Sequence, residues 1–303
     1  MREESTFLII GRFFLVLTMS LFGCRHEQSK NDLKSQPLTY TVEGKGSPRI
    51  LMLHGMLGSH RYWDGVVPSL SHRHQVTSLD LLGFGDSPKP DINYTVDEHL
   101  KGIEKVILAV ETDDLPHKEV RWVLVGHSMG SFLALNFAIA HPEKIEKLVL
   151  INPPMKTDEE SLKKAMAESS SRLMVTMTFD KTWGHLVCRL HELIPFVSYP
   201  LIRVFEPELP PAVAKAAGQH TYASYSGSFE NILLKQNFYE LLAQVQEIPV
   251  LIIASKRDEY TGDRALELLP QRTTLKLVKI DGNHNVVLKD PDRISEEILK
   301  FIE

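Results

Sequence analysis

Residues 122–135 read WVLVGHSMGSFLAL, an apolar run, then Gly-x-Ser-x-Gly around Ser128, then a second apolar run. At average Gly and Ser frequencies the bare pentapeptide arises by chance in roughly one chain in ten of this length, so its setting has to decide its meaning. The run before it, in a strand read from Arg121 to Val125, is short and apolar at every position from Trp122 on, as a strand buried on both faces is. The run after it, Met129 to Ala140, reads as a helix that stops before Pro142. A serine on a sharp strand-to-helix turn is pushed up at the carboxyl end of a sheet, and the flanking glycines relieve the crowding there. It also sits at a helix N-terminus, where free N–H groups stabilise a developing negative charge.

Working outward, strands alternate with helices. LTYTVE (38–43), RILMLHG (49–55), a strand ending near Asp80, and KIEKLVLIN (144–152) precede or follow the central turn. Helical spacing after Thr95-x-x-Glu98, a capping box, marks a helix between two of these strands. This rhythm predicts an α/β fold with a mainly parallel sheet covered by helices on both faces. It breaks after Pro153-Pro154 and resumes at IPVLIIAS (248–255) and TLKLVKI (274–280), with a last helix from about Pro291. The intervening block is rich in Met, Ala, Lys and Glu, is punctuated by five prolines, and carries no strand pattern. An inserted helical lid is expected there.

A serine hydroxyl needs a base, and the base needs an orienting acid. For this turn type the chain order is Ser, then Asp or Glu, then His. Asp258 lies just past the strand 248–255, and His284 just past the strand 274–280, in a Gly-Asn-His loop. Both therefore emerge at the same sheet edge as Ser128. The Gly-rich turn HGMLGS (54–59) follows another strand. The backbone N–H groups of Met56 and Met129 are the expected oxyanion donors, each contributing on the order of 3 kcal/mol.

The segments HGMLGS, DLLGFGDSPKP, GHSMG, VLIIASKRD and GNH…DPDRISEEILKFI together resemble the α/β-hydrolase fold superfamily. The resemblance implies a nucleophile at Ser128, an acid at Asp258, a base at His284, and a helical cap over about 154–245. It divides the chain into a core of 38–153 and 246–303 around that cap. Ser131 and the segment ASKRD depart from the commonest pattern without removing a required group. A serine nucleophile disfavours the branches that use aspartate. The expected reaction is hydrolysis of carboxylic esters, with hydrophobic acyl groups suggested by the Met-rich cap. Cleavage of a C–C bond in a diketone-like substrate stays open, because GFGDSPKP resembles that branch too. So does a non-catalytic ligand-binding role.

The N-terminus carries Arg2 and Arg12, then an apolar run to Gly23 and Cys24. Eleven residues from Phe13 to Gly23 span about 16 Å as a helix, too short for a bilayer core of about 30 Å. The pattern fits a secretory signal over 1–23. LFGC resembles the lipobox of bacterial lipoproteins, which implies lipidation of Cys24, a polar tether over 24–37, and a place on the membrane of the bacterial cell envelope. Cys188 then has no disulfide partner and reads as a buried structural thiol.

With 303 residues, 43% hydrophobic, 24% charged and a net charge of −5, the chain has ordinary globular composition. No basic stripe points to nucleic acid, and no phosphate loop or dinucleotide fingerprint points to a cofactor. The expected partner is a small-molecule or lipid ester. Asp281, near His284, reads as a turn former, and Asp80 as an anchor of the Gly83–Gly85 loop. His54 and His127 read as structural or cavity-lining. The His72-x-His74 pair reads as solvated surface rather than a metal site.

Overall fold

The structure, a computed structural model, describes residues 36–112, 120–155, 159–169 and 206–303, with isolated positions between 178 and 204. Cys24, Cys188 and the expected signal and tether lie outside the described residues apart from the last two positions of the tether.

Seven strands form one sheet: β1 (Tyr40–Glu43), β2 (Arg49–Leu53), β3 (Val76–Leu79), β4 (Trp122–His127), β5 (Ile145–Ile151), β6 (Val250–Ser255) and β7 (Leu275–Ile280). Their order is β1-β3-β2-β4-β5-β6-β7, and only β1 runs antiparallel to its neighbour. Burial follows position. Every residue of β3, β4 and β6 is buried; β4 and β6 are accordingly apolar for most of their length, while β3 also buries Thr77 and Ser78. At the edge, β7 exposes Lys276 and Lys279, charges that discourage a further strand from pairing there.

Helices before the insertion are α1 (Val67–Ser71), α2 (Val96–Thr112) and α3 (Met129–Ala140). The capping box of α2 forms: Thr95 N–H donates to Glu98 Oε2 at 2.9 Å and Glu98 N–H to Thr95 Oγ1 at 3.3 Å. Helix α3 is buried nearly all round, with Phe132, Leu133, Leu135 and Phe137 inside, because it packs beneath other helices as well as on the sheet. The described residues between β5 and β6 form α4 (Glu159–Ser169), α5 (Pro211–Ala217), α6 (Tyr222–Ser228), a π-turn (Phe229–Leu234) and α7 (Phe238–Gln244), with no strand among them. After β6 come α8 (Asp263–Glu267), α9 (Val286–Lys289) and α10 (Pro291–Ile302). Helix α10 buries Ile294, Ile298 and Ile302, one turn apart, against the second face of the sheet.

The helical insertion is tied to the core at identifiable points. Phe238 of α7 meets Phe132 edge to face with ring centres 5.8 Å apart. The buried His99 of α2 lies 3.0 Å through its Nε2 from Ser228 Oγ of α6. Leu162 and Met166 of α4 cluster with Phe229, Met56 and Tyr260.

Strands β2 and β4 are neighbours, yet the chain moves from β2 outward to β3 and only later returns to β4 on the other side. Sheet direction of growth therefore reverses between β2 and β4. In open α/β sheets the crevice at such a point, beyond the strands' carboxyl ends, is where ligands bind.

Candidate active site

Ser128 directly follows β4 and caps α3, with φ 52° and ψ −120°. This positive φ is costly for a residue with a side chain, and such strain is held only where surrounding packing over-determines it. The neighbouring glycines permit the turn. A Cβ on Gly130 would stand 2.2 Å from the Leu53 carbonyl oxygen, and one on Gly126 would stand 2.4 Å from the Gly130 oxygen.

The three residues expected to act together are brought together. The Ser128 hydroxyl lies 2.9 Å from His284 Nε2, and His284 Nδ1 lies 3.1 Å from Asp258 Oδ1. With the carboxylate ionised, Nδ1–H donates to it, which leaves the Nε2 lone pair facing the serine hydroxyl. Asp258 is buried; burial alone would raise its carboxyl, but the charge and hydrogen bond of His284, a 2.8 Å bond from the Thr261 hydroxyl and a 3.1 Å bond from Tyr260 N–H outweigh that and hold it below the usual range. The imidazole of His284 sits between two rings, with Tyr260 at 4.5 Å and His127 at 4.9 Å centre to centre.

The turn after β2 abuts the serine. A Cβ on Gly55 would lie 3.0 Å from Ser128 Cβ, so Met56 begins next to the reacting hydroxyl. Met129 is the first residue of α3, and its N–H therefore has no acceptor within the helix. Both expected oxyanion donors thus border Ser128. His54 braces this turn: its Nδ1 is 2.7 Å from the Gly55 carbonyl oxygen, and its Nε2 accepts from Leu81 N–H at 2.9 Å. Burial lowers its pKa to about 4, which keeps it neutral and able to do both.

Other residues take the places expected of them, with one exception. Asp281 faces solvent and pairs with Lys256 at 3.1 Å, so it does not orient His284. Asp80 accepts from Asp86 N–H at 2.6 Å and lies 2.7 Å from His60 Nδ1, fixing the loop that carries Gly83 and Gly85. Ser131 donates its hydroxyl to the Gly126 carbonyl at 2.8 Å and is wholly buried. The exception is His74. It is buried, not solvated, and its Nδ1 sits 3.1 Å from the Pro48 carbonyl oxygen; a backbone acceptor 26 residues away gave no local signal. His72 is exposed as expected. Among the described residues no cluster of three or more potential metal ligands occurs. The supporting role of Thr261 lies in no sequence motif; its place three residues after the acid is the available clue.

A cavity of about 170 Å³ opens beside His284. Its walls combine Glu206, Glu208 and Leu209 of the insertion with Tyr260, Asn283 and Leu288 of the core. This side is more acidic than the Met-rich sequence of the cap suggested. Glu208 pairs with Lys289, while burial, and then the charge of Glu208, raises the Glu206 carboxyl. On the Met56 side, Leu162, Met166 and Phe229 gather in a small buried apolar cluster.

The chain matches the family described as alpha/beta hydrolase fold over residues 48–291. It belongs to that family. Among curated proteins it is 36% identical over 114 residues to a 2-hydroxy-6-oxo-6-(2'-aminophenyl)hexa-2,4-dienoic acid hydrolase of Metapseudomonas resinovorans, covering 37% of each chain. It is 41% identical over 110 residues to the probable lysophospholipase BODYGUARD 3 of Arabidopsis thaliana, covering 35% of this chain and 21% of that one. The chain thus spans well under half the length of these curated relatives. Among solved structures, E-2-(acetamidomethylene)succinate hydrolase superposes with a TM-score of 0.65 over 88% of this chain and 94% of that one. At 19% identity that likeness bears on the fold alone.

Proposed function

We propose that this α/β-hydrolase family member is a serine hydrolase that cleaves carboxylic esters, with hydrophobic acyl groups preferred. One observation carries the reading: Ser128 Oγ, the His284 imidazole and the buried Asp258 carboxylate form an unbroken chain of contacts at 2.9 and 3.1 Å. In this reading His284 takes the hydroxyl proton as Ser128 Oγ attacks the carbonyl carbon, and Asp258 stabilises the imidazolium that results. Met56 and Met129 N–H groups stabilise the oxyanion. Collapse of the tetrahedral intermediate expels the alcohol, which takes the proton from His284. Water, deprotonated by the same imidazole, then releases the acid and frees Ser128. The acyl chain lies toward the Met56 side, where Leu162, Met166 and Phe229 offer apolar surface.

The protein from Cys24 onward, with Cys24 replaced by serine for solubility, is the material to assay on nitrophenyl esters of increasing chain length, beside Ser128→Ala. The expected result is turnover by the parent, rising with chain length over the short acyl groups, and loss of nearly all of it in Ser128→Ala. Equal inertness of the two proteins contradicts the reading and favours a ligand-binding role. A second reading, hydrolysis of a C–C bond in a diketone-like acid, is favoured by the stretch shared with the hexa-2,4-dienoic acid hydrolase. It predicts turnover of a 2-hydroxy-6-keto-dienoic acid well above that of any ester.

We also propose that Cys24 is lipidated and holds the enzyme on a bacterial envelope membrane, its substrate being a lipid or small-molecule ester. Several acyl chains, at about 0.8 kcal/mol per buried CH₂, suffice without a spanning helix. Among the described residues no helix is long and apolar enough to cross a membrane. In the full-length protein, Cys24→Ser is expected to move the enzyme from the membrane fraction to the soluble one.

A further inference from the structure

One residue outside the three just described touches the segments that carry two of them, and its neighbour in the chain touches the third. Asn152 follows β5, is wholly buried, and adopts φ 46°, a left-handed conformation that asparagine tolerates better than most residues. Its Oδ1 accepts from Ser255 N–H at 2.8 Å, which fixes which end of the amide is oxygen. The amide nitrogen consequently faces the other way, with Ser255 Oγ at 3.0 Å and the carbonyl oxygens of Asn283 and His284 both at 3.1 Å. Two hydrogens serve three acceptors, so one is shared. Ser255 opens the turn bearing Asp258, whose N–H donates to the Ser255 carbonyl at 3.1 Å. The residue just before Asn152 completes the set: Ser128 N–H donates to the Ile151 carbonyl at 2.9 Å.

A second donor reaches the same His284 oxygen. His127 Nε2 lies 2.9 Å from it, and the His127 ring stacks on Tyr62 at 4.7 Å. Burial lowers the His127 pKa to about 3, so the ring is neutral and its proton is placed on Nε2 by the carbonyl it faces. Tyr62 in turn donates its hydroxyl to Asn285 Oδ1 at 3.1 Å. The loop 283–285 is therefore held by His127 at the end of β4, Asn152 just after β5 and Tyr62 in the 3-10 turn His60–Trp63, all remote from it in sequence.

We infer that Asn152 is a positioning residue, assisted by His127, that sets the His284 imidazole between Ser128 and Asp258 by gripping the backbone oxygen of His284 itself. The grip acts on backbone and not on the ring, so the imidazole stays free to exchange protons at Nε2 while its Cα cannot drift. The inference rests on the proposed Ser128–His284–Asp258 chemistry for its kinetic consequence, though not for its geometric one.

Asn152→Asp has the same shape and tolerates the same backbone, and it replaces the donor with oxygen facing two carbonyls. A misplacement of a reacting group by about 1 Å costs on the order of a hundredfold in rate. The variant is expected to lose about a hundredfold in kcat with KM changed by less than about twofold, since substrate binding is untouched. Proton NMR gives an independent readout: the strongly deshielded Nδ1 proton of His284, shared with Asp258, is expected in the parent and lost or broadened in the variant. Parent-like kcat with that resonance retained overturns the inference, as does an equal fall in kcat/KM carried by KM alone. Should Asn152→Asp fail to fold, His127→Gln and His127→Phe decide. Gln keeps a donor at the Nε2 position and is expected to retain more activity than Phe, which keeps only the stack; equal activity of the two contradicts the grip. If the parent hydrolyses no ester, the proposed function fails, and the His284 resonance in these variants still tests the positioning role by itself.

Discussion

The sheet core and the helical insertion divide the work of this molecule differently. All three members of the Ser128–His284–Asp258 chain stand on core strand ends, on β4, β7 and β6. The insertion contributes Glu206, Glu208 and Leu209 to the cavity wall beside His284, and Leu162, Met166 and Phe229 to a buried apolar cluster near Met56. The core strands from β3 to β7 pair in parallel, Leu53 against Gly126 and Ser255 against Ile280 among them, with one register shift at Trp122/Val123 between β4 and β5. Such a frame fixes the strand ends, whereas the insertion supplies one wall of the cavity beside His284. Changes in the core are thus expected to alter rate and stability, and changes in the insertion to alter which substrate is taken.

The largest effect on this comparison is expected at the acid. Asp258→Asn leaves shape intact but lets His284 take the wrong tautomer, and kcat should fall by roughly three to four orders of magnitude. Asp281→Asn, at an exposed side chain paired only with Lys256, should leave kcat unchanged. The opposite ranking would place the orienting acid on the wrong residue.

Next comes packing. Ile298→Ala truncates a fully buried side chain under the sheet, and a loss of about 2–5 kcal/mol in urea unfolding is expected. Met166→Ala on α4 truncates a buried side chain of a small satellite cluster, so its stability loss should be smaller than that of Ile298→Ala and be accompanied by a raised KM for longer acyl esters. A large stability loss from Met166→Ala would erase the distinction between frame and wall.

Acid stability supplies a smaller test. Burial lowers the pKa of His54 to about 4 and of His99 and His127 to about 3, against about 6.5 in an unfolded chain. The unfolded chain therefore binds these protons first, and stability is full above about pH 6.5 and is lost as pH falls from there toward 4. His60 works the other way: the hydrogen bond to Asp80 raises it, so its contribution is present below about pH 6.5 and is lost as pH rises through its folded value. Three against one, melting temperature should drop between pH 6.5 and 5, and His99→Gln should flatten that drop by up to one proton.

How far the sequence alone could be read follows the same division. A strand buried on both faces favours apolar residues along its length, and β4 from Trp122 to Val125 and β6 from Val250 to Ala254 were therefore readable without any partner in view. The two ends of these strands then pointed to Ser128 and Asp258. Side chains whose partners are distant in the chain left no such trace. Asn152 gains its meaning from oxygens at 283 and 284, and His74 from Pro48. Nothing within a few residues of either announces a buried polar role. The insertion was legible only as helical. Which of its faces meets the cavity depends on the core beneath, so a run rich in Met, Ala, Lys and Glu did not show which of its glutamates stand beside His284.

The most direct test of the central claim is to trap the nucleophile. A fluorophosphonate added to the native enzyme should attach one organophosphoryl group, and peptide mapping by mass spectrometry should place it on Ser128, with labelling far slower in Asp258→Asn. No adduct on the native enzyme, or an adduct on a different serine, would contradict the account.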